Sequence, residues 1–285
     1  MLDILRDTII DALKILPFLF ITYLIMEYIE HKMSEKSKET IKKSGRWGPL
    51  LGAAVGILPQ CGFSASAANL YSARVITLGT LIAVYVSTSD EMIPIFLSEH
   101  ISAITLIKIL TIKFVLGIFF GFIIDLILRK TNKKIQEDED IKEFCEHNHC
   151  HCEKNGILKS SIKHTLNILL YIFIVTLIIN ILVEVIGEET IANFVSKNAV
   201  FGPFIASLIG LIPNCAASVF LVEMFMEGVI IFPALVAGLT AGAGVGLIVL
   251  FTANYKKIWV NLSVVGIQYA LAIAIGVIVN FIPIW

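Results

Sequence analysis

Apolar runs long enough to cross a bilayer alternate along this chain with short loops rich in Lys and Arg. Ile9 to Ile29 is an apolar run of about 21 residues, sufficient for a ~30 Å hydrocarbon core at a helical rise of about 1.5 Å per residue. The loop after it carries Lys32, Lys36, Lys38, Lys42, Lys43 and Arg46, the charge bias of a cytoplasmic face. Trp47 to Leu58 and Gln60 to Ala73 flank Pro59. Each arm is too short for a full crossing, so the pair predicts a re-entrant hairpin broken at the proline. Val75 to Leu97 and Ile101 to Leu128 are the next two crossings. The polar stretch from Arg129 to Lys163 predicts a second cytoplasmic segment, after which the order repeats: a crossing at Leu166 to Ile186, a hairpin about Pro213, then crossings at Val229 to Thr252 and Ile258 to Pro283.

The repetition extends to individual residues. At an offset of 154, Gly56, Pro59, Cys61 and Ser64 fall on Gly210, Pro213, Cys215 and Ser218, and Gly48-Pro49 falls on Gly202-Pro203. If each half has three crossings and one hairpin, the odd number of passes turns the second half over relative to the first; a hairpin that is instead one kinked span would leave the halves parallel and make the basic pair Lys256-Lys257 harder to explain. The fold class expected is therefore an all-α integral membrane protein of two inverted-topology repeats, each with three transmembrane helices and one Pro-broken re-entrant helical hairpin. Residues 1–128 form the first membrane repeat, 129–159 a cytoplasmic linker and 160–285 the second repeat. Both termini are expected on the outer side of the cell's inner (cytoplasmic) membrane.

Composition agrees with a bilayer environment. Of 285 residues 57% are hydrophobic and 16% charged, and the mean hydropathy is +0.86, leaving too little polar surface to cover a water-soluble globule. A formal net charge of -1 gives no reason to expect a nucleic-acid partner. Cys61 and Cys215 lie in apolar stretches and Cys145, Cys150 and Cys152 in a His-rich run, a distribution unlike a secreted disulfide framework. The N-terminal MLDILRDTII has no basic leader region and reads as the entry to the first helix. No GxSxG, HExxH, Walker or GxGxxG word occurs, so an enzyme or a nucleotide-driven pump is not expected.

Candidate chemistry sits where the helices break. The hairpin tips Pro59-Gln60-Cys61 and Pro213-Asn214-Cys215 combine freed backbone carbonyls, an amide oxygen and a soft thiol, with Ser64 and Ser218 one turn on. Asn69 and Glu223 lie further along the second arms. Packing of small residues is the plainer reading of these tips, but the same word appearing in both halves favours a site. Ser87, Thr88, Ser89, Asp90 and Glu91 interrupt a crossing with hydroxyls and two carboxylates, ligands for a hard or borderline divalent cation or carriers of exchanged protons. The alternative is a salt bridge from these acids to Lys108 or Lys113. Thr240 and the small residues Ala241 to Gly244 stand at the corresponding place in the second half. In the linker, Cys145, His147, His149, Cys150, His151 and Cys152 put six metal-seeking side chains within eight residues, suited to Zn or another soft metal and too tight for a zinc finger. A dispensable, disordered linker is the competing reading. Asp125, near a helix end, is expected to snorkel or pair with Arg129.

The words GILPQCGFSASAANLYSARVITLGTLIAVYVSTSDEMIPIF, GLIPNCAASVFLVEMF and GLTAGAGVGLIVLF, with the His/Cys linker between them, resemble the ten-helix heavy-metal exporters, whose members are labelled arsenic efflux proteins or manganese transporters. Ten helices match the predicted elements if each hairpin arm counts as one. The resemblance implies export of a metal or metalloid, with Gln60, Cys61, Asn214 and Cys215 on the signature tips and Asp90 and Glu91 on the acidic word. The expectation is a secondary transporter for a divalent, Mn-like metal or a metalloid, driven by protons, needing no cofactor beyond its cargo and able to form a homodimer. A permease for a neutral or anionic organic solute and a membrane-anchored metal sensor are the alternatives.

Overall fold

The computed structural model describes residues 47–58, 61–89, 102–130, 202–213 and 215–281, and individual positions within 6–24, 92–96 and 158–181. Every regular element among the described residues is helical. In chain order those described from end to end are α1 (Gly48–Gly56), α2 (Cys61–Ser72), α3 (Leu78–Ser87), α4 (Ala103–Lys130), α5 (Gly202–Gly210), α6 (Cys215–Met226), α7 (Phe232–Ala241), α8 (Val245–Ala253) and α9 (Ile258–Phe281). A 3-10 turn, Tyr255–Lys257, leads into α9.

Among the described residues, three spans are long and apolar enough to cross a membrane: Ala103–Lys130, Phe232–Ala253 and Tyr255–Phe281. The middle one is 89% buried, against 22% and 33% for the other two. The α7–α8 span is thus the centre of the bundle, and α4 and α9 are its wall. Ile104, Ile107, Val115 and Phe119 on α4, and Trp259, Leu262, Val277 and Phe281 on α9, are exposed apolar side chains that suit a lipid-facing surface.

Helix starts and stops follow local chemistry. α3 begins where the Thr77 hydroxyl accepts the Thr80 amide at 3.1 Å. Asp125 strengthens that start from α4, accepting the Gly79 amide at 2.9 Å and the Thr77 hydroxyl at 2.7 Å. Of the two expectations for this carboxylate, snorkelling and pairing with Arg129, the first is overturned: it is buried, held where an anion complements the first turn of a helix. α1 and α7 each carry Pro in the first turn, where its missing N–H costs nothing. α7 ends at Gly242, and Gly244 reaches φ 50°, ψ -138°, a backbone region open essentially to glycine alone.

The two halves pack by one scheme. α3 lies against α1 and α4, and α7 against α5 and α9. The agreement holds atom by atom: a Cβ on Gly121 would meet Pro49 Cβ at 2.8 Å and Ala83 Cβ at 3.0 Å, and a Cβ on Gly276 would meet Pro203 Cβ at 3.1 Å and Ala237 Cβ at 2.7 Å. Those neighbours are separated by 154 residues, the offset of the sequence repeat, although the glycines themselves stand 155 apart. Close backbone approach at small residues is what holds apolar helices together when lipid competes for every other contact. Across the halves, α2 packs on α8, and α3 touches α7 and α9.

Candidate functional site

Breaking a helix inside an apolar bundle strands its last carbonyls, and each needs a donor. At the end of α3, the Thr88 amide donates to Val84 O at 2.9 Å, the Thr88 hydroxyl donates to the same oxygen at 2.8 Å, and the Ser89 hydroxyl donates to Ser87 O at 3.0 Å. The Thr88 carbonyl is taken by the ammonium of Lys113 from α4.

The same ammonium reaches across to the other half. Lys113 Nζ donates to Leu239 O at 2.8 Å, so one cation caps the C-terminal ends of α3 and α7 together. Lys113 is only 1% exposed. On α7 the Gly238 carbonyl accepts the Gly242 amide at 3.1 Å, and the Thr240 carbonyl accepts Gln268 Nε2 of α9 at 2.6 Å. Beyond the break, Tyr85 of α3 donates its hydroxyl to Gly246 O at 3.0 Å. A side chain at Gly246 would press on Ser64 O and on the Tyr85 ring, both at 2.9 Å, so glycine is what lets α2 and α3 reach α8.

Between the two breaks lies a cavity of about 10 Å³ lined by Thr88, Ser89, Met92, Lys113, Ser218, Leu239, Gly242 and Gly244. That is at the lower limit for one water molecule, so the site is closed around its own polar atoms.

The structure therefore brings together Thr88, Ser89 and Ser218 of the expected site, with Ser87 Oγ donating to the carbonyl of the lining residue Lys113 at 3.4 Å, while Ser64 is buried on α2 against Gly246 of α8. Thr240 is fully buried beside the second break. Asn69, also fully buried, accepts the Tyr23 hydroxyl at 3.2 Å and is not among the cavity residues. Glu223, 154 residues after Asn69, is exposed on α6 and likewise does not line the cavity. Pro213 is half-buried where α5 gives way to α6. Pro59, Gln60, Asp90, Glu91, Asn214, the side chains of Cys61 and Cys215, and the linker residues Cys145, His147, His149, Cys150, His151 and Cys152 lie outside the described residues.

Lys113, Gln268 and Tyr85 are the site residues the sequence reading did not select. A signal for Lys113 was present: Ile109, Lys113, Gly117, Gly121 and Asp125 recur every four residues and form the buried stripe of α4. Two glycines one turn apart mark the stripe as a packing face, and a lysine in line with them has to enter the bundle.

In comparison with known proteins, the family described as "Putative, 10TM heavy-metal exporter" matches residues 1–188. No curated protein matches the chain. No solved structure matches it either.

Proposed function

Since this chain belongs to the 10TM heavy-metal exporter family, we propose that it is a secondary transporter that moves a heavy metal or metalloid out across the cytoplasmic membrane, with the cavity between the broken helices as its substrate site. The observation that carries this reading is that both halves line one closed polar cavity, bridged by Lys113 from Thr88 O to Leu239 O. A polar site at the interface of two repeats, built from interrupted helices, is the arrangement that alternating access requires.

The two repeats are inverted, each with a re-entrant hairpin. In support, α1 and α2 are 9 and 12 residues long, roughly 14 and 18 Å at helical rise, well short of a hydrocarbon core. Rocking of one repeat against the other opens the cavity first to the cytoplasm and then outward. Protons drive the cycle through Asp90 and Glu91, which follow directly on Ser89 in the chain.

The preferred cargo is a divalent, Mn-like cation held by the Ser87 to Glu91 segment and the oxygens of the hairpin tips. Electrostatics sets a condition on it. A dication 4 Å from the Lys113 ammonium is repelled by about 8 kcal/mol at an effective dielectric of 20. The two carboxylates offset that repulsion, or the ammonium withdraws as the ion enters. A second reading follows from the same residue: a neutral metalloid hydroxide meets no such repulsion and finds donors in Lys113, Ser89 and Ser218. The His/Cys cluster of the linker gathers metal on the cytoplasmic side before it reaches the cavity.

The test is flux into sealed vesicles containing the purified chain, across a panel of Mn, Zn, Co, Cd and arsenite, with and without a proton gradient. Flux of any of these supports the reading, and an inert protein across the whole panel refutes it.

A further inference from the structure

The two breaks are built alike but finished differently. Lys113 on α4 and Gln268 on α9 stand 155 residues apart, the same separation as the packing glycines Gly121 and Gly276 of those two helices. Each is buried, and each donates to a carbonyl at the end of its own half's broken helix, Lys113 to Thr88 O and Gln268 to Thr240 O. The first repeat thus contributes a cation, which also reaches Leu239 O on α7, whereas the second contributes only a neutral amide.

What the amide leaves behind is informative. The donor contact to the Thr240 carbonyl fixes the orientation of the carboxamide, so the outward atom is Gln268 Oε1. Among the described residues, that oxygen has no hydrogen-bond partner, and neither has the hydroxyl of Thr240. Both residues are 0% exposed. Two buried oxygens without partners at the negative end of a helix, in an apolar bundle, are costly unless something electropositive meets them.

We propose that the second break is a binding site for a monovalent cation of the sodium type, held by Gln268 Oε1 and Thr240 Oγ1, which adds from solution a charge that Gln268, unlike Lys113, does not carry. Oxygen-only ligands of the amide, hydroxyl and carbonyl kind suit a hard, weakly charged ion and give no purchase to a soft heavy metal. This inference rests on the internal repeat and the orphaned oxygens, not on the cargo proposed above, and its test uses no heavy metal.

The experiment is the thermal stability of the full chain in detergent, in sodium chloride against N-methylglucamine chloride at constant ionic strength, with 22Na binding to the unmodified protein alongside. Sodium at ten times its dissociation constant should raise the Tm by about 3 °C, and 22Na should bind saturably. Gln268→Met should lose the sodium response, and Thr240→Val should weaken it. Gln268→Lys provides the decisive arm: a tethered ammonium at this position should remove the sodium response while leaving the sodium-free Tm at or above that of the unmodified chain. Equal Tm in both salts with no saturable 22Na uptake would mean the oxygens hold only water, and would overturn the proposal. So would a sodium response of full size in Gln268→Met. Should the variants fail to fold, the 22Na measurement on the unmodified protein decides alone. A chain that binds sodium but moves no metal would leave this site standing and remove the heavy-metal reading.

Discussion

Replacing Lys113 with Met keeps the length and apolar bulk of the side chain and removes only its ammonium. In the folded protein that leaves the Thr88 and Leu239 carbonyls without the donor they share. An orphaned buried carbonyl costs about 1 to 3 kcal/mol, and relief from burying a charge returns part of the sum, so the net loss is about 2 to 4 kcal/mol. For a chain of this size that corresponds to a fall in Tm of roughly 5 to 10 °C, readable by scanning fluorimetry in detergent. Lys113→Gln retains one N–H donor pair, as Gln268 does at the other break, and should lose about half as much. The two carbonyls belong to different halves, so Lys113→Met should also loosen the closed state and be cleaved faster by protease. A Met variant as stable as the parent would refute the reasoning, because it would mean that nothing depends on the bridge.

Asp90→Asn with Glu91→Gln should abolish metal tolerance conferred on a sensitive host; unchanged tolerance would remove both carboxylates from the mechanism. Cys61→Ser with Cys215→Ser separates the two cargo chemistries, since arsenite flux should be lost and Mn flux retained in sealed vesicles. Gly121→Val and Gly276→Val should each destabilise by about 1 to 3 kcal/mol or more, because the added atoms meet Pro49 and Ala83 in one half and Pro203 and Ala237 in the other; a strong effect at one glycine and none at the other would argue against equivalent repeats. Asp125→Ala should lower stability by about 1.5 to 3 kcal/mol through the lost bonds to Gly79 and Thr77, measured as a Tm shift that Asp125→Asn partly restores.

The places where helices break could be read in the sequence because breaking leaves a chemical mark. Thr88 and Ser89, and the small residues from Ala241 to Gly244, stand out by their poor fit to a continuous apolar helix, and of these Thr88, Ser89, Gly242 and Gly244 line the cavity. The 154-residue offset likewise carried through to packing, since the contacts of Gly48 with Thr80 and of Gly202 with Ala234 differ by that number. What could not be read was which side chains close the site from neighbouring helices. Lys113 reads along the chain as a counter-ion for nearby acids. Its rotation about α4 is set by Gly117 and Gly121 packing on α3, and that rotation delivers Nζ to two carbonyls, one of them 126 residues away. Snorkelling fails for Asp125 for a related reason: its place near a helix end suggests an interface position, whereas the same stripe turns it inward to the start of α3. Glu223 was chosen for its charge alone, and its place on α6 faces away from the lining of the cavity.

The most direct measurement is flux through vesicles reconstituted with the unmodified chain and with a Ser89→Val, Ser218→Val pair, which fills the cavity from both halves with apolar branches while leaving the Lys113 bridge in place. At least one metal or metalloid of the panel should cross in the unmodified protein, and its flux should fall at least about tenfold in the variant, a barrier change of about 1.4 kcal/mol or more. Equal flux through both would place the pathway elsewhere and contradict the account.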